Sequence, residues 1–151
     1  MGSSVDSSEG ALASKAIDGD ASTYWASSAE TAGTANLVVD FGGIKTIASV
    51  SYTPRHHDSA GYNCTGRVKT YKLEYQKADG AWVTLVENGT MKDTGATTIT
   101  FNAVEAKAIR LTGLTTYHWQ PSNENKYMNA AELDVLDASG DSVVREAKAG
   151  L

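Results

Sequence analysis

The chain has little of what would point to an enzyme, a membrane protein or a nucleic-acid binder. It holds a single cysteine, Cys64, so no internal disulfide can form. No apolar run approaches the roughly 20 residues that a membrane-spanning helix needs, and no membrane insertion is expected. Basic residues are outnumbered, 13 Lys and Arg against 18 Asp and Glu, for a net charge of −5. Nothing in the order of residues clusters Lys and Arg as nucleic-acid binding requires, so no nucleic-acid partner is expected. HExxH, GxSxG and phosphate-cradling glycine motifs are all missing. Helical periodicity is almost absent as well.

What the chain does have is alternation. In TYKLEYQ, Tyr71, Leu73 and Tyr75 fall on one face and Lys72, Glu74 and Gln76 on the other, the pattern of a half-buried strand. Ala48, Val50 and Tyr52 repeat it, as do Ile99 with Phe101, Ile109 with Leu111, and Leu133 with Val135. The continuous apolar run NLVVDF, residues 36–41, reads as a buried strand. Turn signals stand between these runs at Gly42-Gly43, Asp79-Gly80, Asn88-Gly89 and Ser139-Gly140. About eight strands are expected, in an all-β sandwich or barrel. A length of 151 residues suits one domain over residues 1–151, with the opening MGSS read as an expression leftover.

Two connections are too long for hairpins: Pro54 to Gly66 and Thr115 to Ala130. Both are rich in aromatic and hydrogen-bonding side chains, which favours binding loops. A third segment, KAIDGDASTYW at residues 15–25, sets Asp18 and Asp20 around a glycine. The EF-hand pattern fails there, because Thr23 stands where that loop needs Gly and Ala29 where it needs Glu. A non-EF calcium site remains open, and so does a plain Asx turn with solvated carboxylates.

Read in order, AIDGDASTYW, LVVDFGG, VSYTPR, GRVKTYKLEY, DGAWVTL, KAIRLTGL and AAELDVLD resemble the F5/8 type C, or discoidin-like, domain. Within it they look most like the bacterial family 32 carbohydrate-binding modules. The resemblance implies an eight-stranded jelly-roll β-sandwich. It implies a non-catalytic, secreted or cell-surface module, appended to a glycoside hydrolase and monomeric within it. It also implies one structural Ca2+, held by Lys15 through its carbonyl, Asp18, Asp20, Thr23, the Ala131 carbonyl and Glu132. With Asp18 and Asp20 taken up by calcium, no paired carboxylates are left in view for hydrolysis.

The same resemblance places a glycan site in the two long connections. A sugar needs a flat apolar surface for its C–H face and directional polar groups for its hydroxyls. Arg55 matches the sugar-contacting arginine of the family, and Asn63 is the expected amide contact. Trp119 is the first choice of aromatic platform and Tyr117 the second. Many galactose-binding members have His after the Trp of the first loop, whereas here Ala26 follows Trp25. His57, His56 or His118 is then the expected substitute. The expected ligand is a terminal galactose, N-acetylgalactosamine (GalNAc) or N-acetylglucosamine (GlcNAc). The rival expectation is an adhesion module that binds protein or lipid. Trp82 is expected to pack rather than bind.

Overall fold

The computed structural model describes residues 36–54, 67–92, 95–117 and 128–144, and the backbone of the short strand Trp25–Ala26. These residues form seven strands: β1 (Trp25–Ala26), β2 (Asn36–Thr53), β3 (Val68–Gln76), β4 (Trp82–Thr90), β5 (Thr97–Thr116), β6 (Asn129–Ala130) and β7 (Glu132–Leu136). Every ladder is antiparallel, with five strands in the order β4-β3-β5-β2-β7 and a separate β1-β6 pair.

The count falls one short of the eight expected because two strands run through positions where the sequence pattern breaks. Gly42-Gly43 bends β2 without ending it. Asp40 pairs with Ala108 and Lys45 with Ala106, so four residues of β2 bulge past one of β5. Gly42 takes φ 76°, open to glycine at little cost, and its N–H donates to Asp40 Oδ1 at 2.8 Å. In the same way, Ile99 with Phe101 and Ile109 with Leu111 lie on one strand, β5.

Two other turn signals are hairpins of like construction. In the Lys77–Ala81 turn, Gly80 N–H donates to the Lys77 carbonyl at 2.9 Å and Asp79 Oδ1 accepts from Ala81 N–H at 2.9 Å. In the Asp137–Asp141 turn, Gly140 N–H donates to the Asp137 carbonyl at 3.0 Å. Both glycines have positive φ, 93° and 87°. Asn88-Gly89 is different: it lies inside β4, and the turn expected there does not form.

Alternation carries the core. Leu37, Val39 and Phe41, then Val50 and Tyr52, then Tyr71 and Leu73, Ile109 and Leu111, Leu133 and Val135 are all buried in one cluster. The opposite face of β3 and β5 holds a polar cluster that the alternation pattern leaves to solvent. Glu74 stands directly across from Arg110 and is only 7% exposed. Arg110 Nε donates to Glu74 Oε1 at 2.9 Å and its second guanidinium nitrogen to Oε2 at 3.0 Å, a two-pronged pair. The guanidinium also lies 4.2 Å from the centroid of the Trp82 ring. Trp82 does pack, but on the outer face beneath Arg110 and outside the core.

The Arg110 hydrogen bonds hold the Glu74 carboxyl below its usual value, against the opposing effect of burial. A carboxyl lowered on folding stabilises the protein above its unfolded value, about 4.3, and that contribution is lost as pH falls through the folded value. Glu74→Gln is therefore expected to cost about 1–2 kcal/mol at neutral pH and far less at pH 3. Thermal melts of both proteins across that range check it; a gap independent of pH would assign the loss to packing instead.

Candidate functional site

Strand ends converge at one pole of the molecule, and a single side chain ties them. Tyr52, near the end of β2, is 1% exposed. Its hydroxyl donates to the Asn129 carbonyl of β6 at 2.7 Å and accepts from Val68 N–H, at the start of β3, at 3.1 Å. Burial pushes this phenol far above its usual range, so it stays protonated and keeps both bonds. Val68 in turn pairs with Thr116, and Tyr117 N–H donates to the Arg67 carbonyl at 2.9 Å. On the other side of β2, Ala131 N–H donates to the Thr53 carbonyl at 2.8 Å.

The two long connections both spring from this junction. One leaves at Pro54 and returns at Arg67; the other leaves at Tyr117 and returns at Met128. Their stems are thus held together by Tyr52, Val68, Thr116 and Asn129. Of the residues expected to touch sugar, Arg55, His57, Asn63 and Trp119, and with them His56 and His118, lie outside the described residues. Tyr117 is described: it is half-buried at the very exit of β5, and its ring is already engaged. The Arg67 guanidinium carbon lies 4.6 Å from the ring centroid and the Lys69 ammonium 4.5 Å. Both distances are within the range of cation–π attraction.

Arg67 and Lys69 were not legible as site residues in the sequence. The signal that finds them is modest: two cations at i and i+2, hence on one face of a strand, beginning directly after a long loop. Arg67 is buried, at 6% exposure, while Lys69 is half-exposed.

The expected calcium ligands divide in the same way. Lys15, Asp18, Asp20 and Thr23 lie outside the described residues, and Ala131 and Glu132 lie within them. Among the described residues no group of three or more His, Cys, Asp or Glu is gathered. The β1-β6 register is informative, however. Trp25 pairs with Ala130 and Ala26 with Asn129. The N-terminal end of β1, two residues after Thr23, therefore stands at the end of β6 that continues into Ala131 and Glu132.

A cleft of about 350 Å3 lies at the far end of β3, lined by Ile44, Tyr75, Val104 and Ala78 with Lys77 and Glu105. It lies at the opposite end of β3 from the two long connections, and its one lysine and one glutamate give it no charge preference.

With this geometry in place, residues 2–133 match the F5/8 type C domain family. Solved structures with the same fold include the Clostridium perfringens module CpGH89CBM32-5 in complex with GalNAc-β-1,3-galactose. The two are 23% identical, with 89% of this chain and 91% of that chain covered at a TM-score of 0.71. The family 32 module of C. perfringens NanJ, in complex with galactose, is 24% identical over 89% of this chain and 90% of that one, at 0.72. A pectin-binding carbohydrate-binding module is 21% identical over 91% and 88%, at 0.66. The jelly-roll β-sandwich expected from the sequence is the fold of this chain.

Proposed function

This chain belongs to the F5/8 type C domain family, and we propose that it is a carbohydrate-binding module without catalysis of its own. The observation that carries the proposal is the convergence of both long connections on the Tyr52 junction, which puts their side chains within reach of one ligand. Trp119 supplies the ring that meets the sugar's C–H face. Arg55, Asn63 and His57 supply hydroxyl contacts, and Tyr117 backs the site with Arg67 and Lys69. The glycan ends in galactose, GalNAc or GlcNAc, and the fold-mates that hold galactose and GalNAc-β-1,3-galactose support that choice. Such a shallow site binds in the μM to mM range, so it works through linkage to a secreted or cell-surface glycoside hydrolase and to other modules.

Calorimetric titration with a small panel of mono- and disaccharides tests the reading. Saturable binding is expected, weakened at least about tenfold by Trp119→Ala, a loss of about 1.4 kcal/mol. Binding to anionic vesicles with no response to any sugar would establish the adhesion reading in its place.

Ca2+ is proposed as a staple. Its hard oxygen set is Asp18, Asp20, Thr23 and Glu132 with the carbonyls of Lys15 and Ala131, and the β1-β6 register supports bringing the two groups together. Binding to the folded chain alone stabilises it by mass action, about 2.7 kcal/mol at a hundredfold excess over Kd. Chelator is therefore expected to lower Tm by several degrees; equal melting temperatures in calcium and chelator would remove the ion from the account.

A further inference from the structure

The loop pole carries a charge opposite to that of the molecule. Arg67 and Lys69 both lie on the Tyr117 ring, 4.6 and 4.5 Å from its centroid, and so stand within about 9 Å of each other. Two like charges on one ring repel, and with Arg67 buried the repulsion is poorly screened by water. The ring offsets part of that cost, and an anion beside the pair offsets more.

The sequence of the attached segments has the same sign. Residues 55–69 and 115–128 contain four basic residues, Arg55, Arg67, Lys69 and Lys126, and two acidic ones, Asp58 and Glu124. All three histidines, His56, His57 and His118, belong to them too. The rest of the chain has nine basic and sixteen acidic residues. An acidic protein thus concentrates its surplus of cations where its two long connections emerge. The carboxylate of Glu132, at the same pole, belongs to the proposed calcium set.

We propose that the saccharide bound at this pole is anionic, of the uronate class, and that Lys69, seated on Tyr117 beside Arg67, is a specificity-determining cation. The inference rests on the carbohydrate-binding reading above and narrows its ligand. Half-exposed Lys69 meets the carboxylate directly. Buried Arg67 supplies field and fixes the ring from below.

The test uses the full chain with two probes, trigalacturonate and a neutral galactose-terminated disaccharide, titrated at about 50 and 200 mM salt. Trigalacturonate is expected to bind at least fivefold more tightly at low salt, and to lose that lead as salt rises, because screening acts on the charged ligand alone. Lys69→Gln is expected to lower the acidic-to-neutral affinity ratio at least threefold. Lys77→Gln, at the opposite end of β3 and some 25 Å away by strand rise, is expected to leave the ratio as it was. Circular dichroism of both variants guards against misfolding. Binding of the neutral sugar with equal or weaker binding of trigalacturonate overturns the inference and leaves the carbohydrate reading standing. Binding of neither sugar overturns both. An acidic preference that Lys69→Gln does not touch removes Lys69 from its role.

Discussion

Tyr52→Phe is expected to destabilise the protein by about 2–3 kcal/mol, and to weaken saccharide binding although Tyr52 touches no ligand. The hydroxyl makes two buried hydrogen bonds, to the Asn129 carbonyl at 2.7 Å and from Val68 N–H at 3.1 Å. Phenylalanine keeps the ring and its packing but leaves the Val68 donor without that acceptor and takes one donor from Asn129. Stranding a buried polar group costs about 1–3 kcal/mol, more than the net worth of the bond that held it. At this chain length the loss corresponds to a fall in Tm of about 8 °C.

The binding effect follows from which strands the bonds join. Val68 opens the strand that follows one long connection, and Asn129 lies on the strand that follows the other. Without the hydroxyl, nothing polar fixes β6 to the start of β3, and the two connections lose their common reference. Affinity is expected to fall severalfold in a calorimetric titration at a temperature where the variant is fully folded. A variant with wild-type stability, or one that is destabilised yet binds with unchanged affinity, would show that the junction does not organise the site.

Much of the fold was legible in the sequence because one face of nearly every strand is buried. Tyr71 and Leu73, or Leu133 and Val135, alternate because their partners in the ladder do, and period-two alternation is a local signal. The turns at Asp79-Gly80 and Ser139-Gly140 were legible for a similar reason: a glycine at positive φ and an aspartate accepting from the backbone are short-range chemistry. The continuity of β2 through Gly42-Gly43 was not, since a bulge and a turn draw on the same residue types. Nor was the burial of Glu74, which depends on Arg110 standing opposite it, 36 residues away. The junction itself was the least visible part. Tyr52 reads as one more apolar position in an alternating run, and only the meeting of β2, β3 and β6 gives its hydroxyl two partners.

The same limit applies to the site's charge. Lys and Arg are sparse and unclustered along the chain, and the excess of acids argues against an anionic partner for the molecule as a whole. Arg67 and Lys69 form a cationic centre only because β3 pairs with the end of β5 and brings both onto Tyr117. Net charge speaks for long-range attraction, whereas the ligand senses what lies within a Debye length, about 8 Å at physiological salt. An acidic module with a basic pole orients toward an acidic glycan while its remaining surface is repelled.

Gly89→Ala is expected to cost about 3 kcal/mol, although alanine ordinarily suits a strand interior better than glycine. Gly89 lies within β4, directly across from Tyr71, and it is not among the glycines with positive φ. Its value there is therefore empty space. A Cβ built on Gly89 would overlap Cζ, Cε1 and the hydroxyl oxygen of Tyr71, whose ring lies on the bare glycine backbone. That ring is 5% exposed and part of the core cluster, so it has no open direction in which to retreat. The alternative, an Asn-Gly turn, would make the glycine necessary for its backbone angles alone, and the identity of residue 71 would then be irrelevant. A double-mutant cycle separates the two. In a Tyr71→Leu background, Gly89→Ala is expected to be neutral or to stabilise by a few tenths of a kcal/mol, because the overlap has gone and only the backbone preference remains. Urea denaturation of the four proteins measures the coupling, expected at about 3 kcal/mol. If alanine costs the same with tyrosine or leucine at position 71, the strain lies in the backbone, and the packing of Tyr71 on Gly89 does not explain the glycine.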